Sequence, residues 1–272
     1  MLRAIHSEFV KLTSVRLWWI LLIILFGYVG FTAALLGGLF GALGDQLAAS
    51  PNAPQLPRET LPPVVYSTVT AIGYVFPLIL GALAVTSEFR YQTLTPTFLA
   101  EPRRGVVIGA KLVVLAIAGA VFGVIGLVGS VGLGGAILAL TGTPPLLDSG
   151  DTWLLAARIV LAMALWAVVG VGVGSLIPNQ IASIVVVLAF TQFVEPILRL
   201  GASIWDWTAA IGKFLPGAAS DALVGASIFT SLGMGTTQVQ TLEWWQGGLV
   251  LLGFGVVLSV AGALTTWRRD VT

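Results

Sequence analysis

Five charged side chains, Glu88, Arg90, Glu101, Arg103 and Arg104, fall within residues 86–105 (TSEFRYQTLTPTFLAEPRRG) of a chain that is only 9% charged overall. Among them lie Phe89, Tyr91, Leu94 and Phe98, too apolar for a purely solvated connector. Charge beside exposed aromatic surface suits docking of another protein. A helix lying flat on lipid headgroups is the other reading, and the residues alone weigh the two equally. Glu88 to Leu94 can form about two helical turns. Thr95-Pro96 reads as the N-cap and first residue of a second helical piece, which Pro102 ends. Arg103, Arg104 and Lys111 lead into the next apolar run.

A second candidate is Glu195, with Thr191 and Gln192 about a turn before it and Arg199 four residues after it, near the end of another apolar run. A carboxylate inside a membrane is costly and by default marks a substrate or ion path. The competing reading is an i,i+4 ion pair with Arg199 in the interfacial zone, favoured by the nearby Pro196 and Trp205. Arg158 reads as a cation snorkelling to the surface.

Other chemistries are excluded. With no cysteine and one histidine, His6, disulfides, thiolate metal sites and His-rich metal sites are ruled out. The run from Gly105 through Gly109 to Lys111 echoes a phosphate loop but lacks its spacing, its adjacent Gly-Lys and its Ser/Thr. Gly170 to Ser175 (GVGVGS) lies inside an apolar run with no strand before it. No nucleotide site, catalytic residue or metal ligand is expected in this chain.

The elements that must position these residues are set by composition. The 272 residues are 57% hydrophobic, with a mean hydropathy of +0.99. A soluble domain usually carries about 25% charged residues, so lipid must solvate most of this surface. Six stretches reach the roughly 20 apolar residues that a bilayer requires: 18–43, 64–86, 111–140, 153–176, 181–199 and 244–267. They lack period-2 alternation, which favours helices over barrel strands. The first is too long for a signal-peptide core and lacks a cleavage site. Ile177-Pro178-Asn179-Gln180 reads as a tight helical hairpin.

Six spans place both termini on one side. That side carries Arg3, Lys11, Arg16, Arg90, Arg103, Arg104, Lys111, Arg268 and Arg269, against Arg58, Arg158, Arg199 and Lys213 on the other. The bias makes both termini and the 87–105 connector cytoplasmic. Ahead of the first span, Leu2, Ile5, Phe9 and Leu12 recur at 3-4-3 spacing, with Arg3, Ser7, Lys11 and Ser14 elsewhere on the wheel. This predicts an interfacial amphipathic helix over 1–17, followed by Trp18 and Trp19 at the lipid boundary. An ordinary positively charged flank is the plainer alternative.

The proline-rich 44–63 region reads as an irregular outer loop. Segment 200–243, with Trp205, Trp207, Phe214 and Phe229 but broken by glycines and Pro216, reads as short helices on or in the outer leaflet. Pairs such as Gly119/Gly123, Gly126/Ser130 and Gly170/Gly174 allow close helix approach, more simply within the chain than across a dimer seam.

The run E-F-R-Y-Q-T-L … E-P-R-R … K-L resembles the connector of type-2 ABC exporter permeases, whose E-x-R-x-x-T-x … P-x-x-R … K pattern is matched by Glu88, Arg90, Thr93, Pro102 and Lys111. The opening H-S-E-F-V-K-L, the run L-P-G-A-A-S-D-A-L at 215–223 and the ending W-R-R-D-V at 267–271 are also similar to that family. Pro96 departs from it, since the connector helix there is often continuous. The resemblance implies a single all-α permease domain over 1–272 in the bacterial cytoplasmic membrane. Its partners would be two separate ABC ATPase subunits holding ATP and Mg, a second permease copy or paralogue, and the lipid bilayer, with no nucleic acid. Glu88, Phe89, Arg90, Tyr91, Gln92, Thr93 and Leu94 would form the coupling helix seated on an ATPase. The opening helix, with Arg3, Phe9 and Lys11, would lie along the inner leaflet and also touch the ATPase. Residues 200–243 would form re-entrant pieces capping the export path. The expected function is outward movement of an amphiphile such as a drug, antibiotic, lipid or peptide, with Thr191, Gln192 and Glu195 on its path. A secondary transporter without ATPase, or a non-transport membrane subunit, are the alternatives.

Overall fold

In the computed structural model, which describes residues 1–48, 57–202, 206–227, 231 and 242–267, the described residues contain helices and no strands. Helix α1 spans Leu2–Ser14 and α2 Leu17–Ala48. A 3-10 turn at Arg58–Thr60 leads into α3 (Leu61–Tyr66), α4 (Thr68–Ala71) and α5 (Val75–Arg90). The connector holds α6 (Leu94–Ala100). Helix α7 (Arg104–Gly129) passes through a π turn at Ser130–Gly134 into α8 (Gly135–Leu140). Then come α9 (Gly150–Leu176), α10 (Gln180–Ala189), a second π turn (Phe190–Val194) and α11 (Glu195–Ala202). Helices α12 (Asp206–Gly212), α13 (Pro216–Val224) and α14 (Trp244–Thr265) complete the described chain.

Five helices are long and apolar enough to cross a membrane: Leu17–Ala42, Arg104–Leu140, Gly150–Leu176, Gln180–Gly201 and Trp244–Thr265. The chain is a multi-pass membrane protein. The stretch 64–86, expected as one span, is instead broken into α3, α4 and α5. Ser67, Thr68 and Thr70 turn their hydroxyls back onto the carbonyls of Val64, Val65 and Ser67 at 2.8, 2.7 and 3.1 Å, an alternative to continued helix. At Gly73 a Cβ would lie 2.4 Å from the Val69 carbonyl, so the chain can turn this tightly only at glycine. Leu61, Val65, Tyr66, Thr68 and Val69 are all buried, which shields the interrupted backbone from lipid.

Of the region 44–63 read as an irregular loop, the described parts are helical: α2 includes residues up to Ala48, and Arg58–Thr60 and α3 follow, while 49–56 lie outside the described residues. The short helices expected across 200–243 are present as α12 and α13, and Pro216 opens α13 rather than breaking a helix. Trp205 and Phe229 lie outside the described residues, as do Pro51, Arg268 and Arg269. The hairpin at 177–180 forms as read, with Asn179 Oδ1 accepting the Ala182 N–H at 3.0 Å to cap α10.

Helix α9 is the central post, with Ile159, Ala162, Met163, Ala167 and Val171 all fully buried. Its neighbours approach through glycine. A Cβ at Gly170 would stand 2.1 Å from the Leu78 carbonyl of α5, one at Gly174 2.5 Å from that of Ala82, and one at Gly119 of α7 2.5 Å from that of Met163. These small-xxx-small pairs therefore serve packing within the chain, where lipid offers no hydrophobic drive for association.

Candidate functional site

The first site is built where α1, the end of α5, α6 and the start of α7 meet. On α1, Ile5, Glu8 and Leu12 turn towards the bundle and Lys11 is half-buried, while Leu2 and Phe9 stay exposed. The expected apolar stripe of Leu2, Ile5, Phe9 and Leu12 is thus split, two residues inward and two outward. The reason is electrostatic: Glu8 and Lys11 face opposite charges that offset their burial.

Those partners come from distant sequence. Lys11 Nζ lies 2.7 Å from Glu8 Oε1 and 2.7 Å from Glu88 Oε1, and donates to Thr97 Oγ1 at 3.2 Å. Lys111 Nζ lies 2.5 Å from Glu8 Oε2 and 3.2 Å from Glu88 Oε1, and donates to the Ala84 carbonyl at 3.3 Å. Two acids and two bases alternate in one network. Burial pushes the Glu8 carboxyl up, but Lys111 and Lys11 more than reverse this and hold it below the ordinary value. Burial pushes the Lys11 ammonium down, and Glu88 with Glu8 hold it above its ordinary value.

The connector itself differs from the helix expected over 88–94. Helix α5 continues to Arg90 and then stops in a Schellman turn: Thr93 N–H donates to the Glu88 carbonyl at 3.0 Å and Gln92 N–H to that of Phe89 at 3.4 Å. Gln92 takes the left-handed conformation, φ 55°, that closes this motif. The free-standing helix is α6 instead. Pro96 sits in its first turn, where its missing N–H costs no intrahelical bond. Of the predicted coupling residues, Arg90, Tyr91, Gln92 and Thr93 are exposed, Phe89 is half-buried, and Glu88 and Leu94 are buried. The outward surface is therefore the 90–93 turn together with Leu99. Arg90 also donates to Gln180 Oε1 at 2.9 Å, tying the turn to the α9–α10 hairpin.

Trp267, just past α14, closes the assembly from beneath. Its ring meets Phe89 at 6.1 Å and Phe98 at 5.7 Å, both edge-on, and Arg104 donates to its carbonyl. The Arg104 guanidinium also lies 5.1 Å from the centre of the Phe98 ring. The 90–93 turn is thereby braced on α1, α5, α6, α7 and the end of α14. Arg3 and Phe9 remain exposed on α1.

The second site lies around the other end of α5. Pro96's counterpart here is Pro196: lacking an N–H and crowding the Gln192 carbonyl, it widens the helix into the π turn Phe190–Val194. Glu195 Oε1 accepts from Arg199 Nη2 at 3.1 Å, Arg199 Nε at 3.2 Å and the Gly217 N–H at 2.5 Å. Arg199 Nη1 reaches Asp221 Oδ2 at 2.8 Å, and the Ser227 hydroxyl donates to the same oxygen at 2.8 Å. The i,i+4 ion pair is thus present, within a larger cluster. Glu195 is 2% exposed, and its Oε2 has no hydrogen-bond partner among the described residues. A cavity of about 120 Å³ adjoins it, lined by Thr70, Tyr74, Trp166, Thr191, Gln192 and Asp221, among others.

Thr191, Gln192 and Glu195, grouped in the sequence reading, line one cavity, but that reading missed Asp221, Gly217 and Tyr74, and in the first site Glu8, Thr97 and Trp267 as partners. A signal existed for two of them. Glu8 stands one turn before Lys11 beside an apolar stripe, and Asp221 is a lone acid in an apolar run. Arg158, read as snorkelling, places its guanidinium 5.1 Å from the centre of the Trp244 ring. Compared with known proteins, the chain matches no family model and no curated protein sequence.

Proposed function

We propose that this chain is the membrane-embedded permease subunit of an ATP-driven exporter of the type-2 ABC class, in the bacterial cytoplasmic membrane. The carrying observation is the braced 90–93 turn. An exposed Arg-Tyr-Gln-Thr corner, fixed to the network of Glu8, Lys11, Glu88 and Lys111 and to Trp267, turns a push on one small surface into displacement of several helices. Two separate ATPase subunits, holding ATP and Mg, would supply that push, and a second permease copy or paralogue would form the other half of the path. The cargo would be an amphiphile: a drug, antibiotic, lipid or peptide.

Parity supports six crossings with both termini cytoplasmic. Helix α1 and Trp267 meet at the same end of the bundle, at the connector. Five crossings would leave the chain on the far side, so on this reading the α3–α5 segment would supply the sixth passage. At 16 residues, α5 spans about 24 Å, and the buried α3 and α4 would make up the remaining depth.

An ion-coupled secondary transporter is the second reading, favoured by the unpartnered oxygen of Glu195 beside a small cavity. One experiment separates the two. The chain is purified from native membranes in mild detergent, reconstituted, and assayed for cargo movement with and without Mg-ATP. Movement that needs a co-purifying ATPase supports the export reading. Movement by the chain alone, driven by an ion gradient, overturns it.

A further inference from the structure

The cavity beside Glu195 is small and carries two carboxyl groups, and its chemistry selects an occupant. Of the three charged groups that line it among the described residues, two are carboxyls, Glu195 and Asp221, and one is a guanidinium, Arg199. Arg199 already reaches across both acids, to Glu195 Oε1 and Asp221 Oδ2. Glu195 Oε2 is left buried with no donor among the described residues, and such an acceptor demands one. Tyr74 and Trp166, with ring centroids 4.5 Å apart, line the same cavity and add the aromatic surface that attracts cations. The π turn beneath it displaces Thr191 and Gln192 from regular helix, as turns of this kind often do at functional sites. Gln192 is exposed and also lines the cavity.

We propose that Glu195 Oε2 and this cavity bind the ammonium group of a cationic amphiphile. A volume of about 120 Å³ admits an ammonium head but not a long apolar tail. An anionic head would meet two carboxylates. A neutral head would leave Oε2 with a weaker, uncharged donor. The inference rests on the export reading above for the identity of the occupant as cargo, and it narrows that cargo from amphiphiles in general to those carrying a protonated amine.

The test is calorimetric titration of the purified full-length chain with n-octylammonium, with n-octanol and n-octyl sulfate as probes of equal tail length. The expected result is one saturable site per chain for n-octylammonium, weakened at least tenfold in Glu195→Gln, with n-octanol uptake alike in both proteins. Glu195→Gln keeps a carbonyl oxygen for the Gly217 N–H and Arg199. Should it nonetheless fail to fold, displacement from the unaltered protein decides: n-butylammonium must compete and n-octanol must not. Equal binding by the two proteins, or displacement by n-octanol, overturns the proposal. Displacement by sodium at concentrations matched to n-butylammonium also overturns it, in favour of an inorganic cation site. Because no ATPase is present, failure here leaves the export reading standing, and loss of nucleotide dependence in reconstituted vesicles leaves this site standing.

Discussion

Lys111 and Glu8, 103 positions apart, form an ion pair of 2.5 Å with side chains only 2% and 5% exposed. The pair joins the amphipathic opening helix to the first turns of α7, and Glu88 and Lys11 complete it from both sides. An ion pair this well buried is weak evidence for raw stability, because desolvation offsets much of the attraction. What it supplies is geometry: it ties α1 to the end of α5 and to α7.

Removing one partner should therefore cost more than removing two. Lys111→Met leaves two carboxylates sharing Lys11, and should lower stability by about 3–5 kcal/mol. The double variant Glu8→Leu with Lys111→Met should be less destabilised than the sum of the single ones. Thermal unfolding of the four proteins in detergent measures this coupling, and strict additivity would contradict the network.

The pH dependence follows from the directions of the two shifts. Glu8 is held below its ordinary value near 4.5, so its contribution is complete above that value and is lost as pH falls through its own lower one. Lys11 is held above its ordinary value near 10.5, so its contribution is complete below that value and is lost as pH rises through its own higher one. The groups facing them are Glu88 and Lys111. Docking of α1 should be constant across the neutral range and fail only at the two extremes. The chain contains no cysteine, so a spin label on Val10→Cys reports α1 uniquely. Release of α1 near neutral pH would contradict the assignment.

Gln92 carries the left-handed residue of the connector turn. Gln92→Gly should stabilise the turn by up to about 1 kcal/mol, and Gln92→Val should destabilise it by about 1–2 kcal/mol. Tyr91→Ala, at an exposed position, should leave unfolding unchanged yet uncouple nucleotide hydrolysis from transport. Glu88→Ala cannot test coupling alone, since Glu88 is buried in the network. Paired unfolding and transport assays of the three variants separate turn geometry from partner contact.

Helix packing gives a fourth expectation. At Gly170 an added Cβ meets the Leu78 carbonyl at 2.1 Å, backbone that cannot yield, whereas at Gly27 it meets nothing within 4 Å. Gly170→Ala should cost about 1–3 kcal/mol, and Gly27→Ala should be neutral or slightly stabilising. Equal effects in thermal unfolding would mean that α5 and α9 do not pack as described.

Composition alone settled the class of this protein, because 9% charge cannot cover a globule in water and long aperiodic apolar runs can only be helices in lipid. Local rules likewise located the hairpin at Asn179, since caps and proline act over a few residues, whereas Pro216, read as a break, opens a helix. The break at Ser67–Gly73 was not legible, because its hydropathy matches a span and only burial among neighbours makes an interrupted backbone tolerable. Nor was the rotation of α1. Periodicity recorded an apolar stripe, but the direction it faces was decided by Glu88 and Lys111, brought there by helices far along the chain. The same holds for Glu195, whose pairing with Arg199 is written in their four-residue spacing while Asp221, Gly217 and the cavity exist only once α11 and α13 meet. Spacing along one helix fixes which side chains share a face. Which charges come together across helices depends on packing, where desolvation makes every unpaired group costly and so dictates its partner.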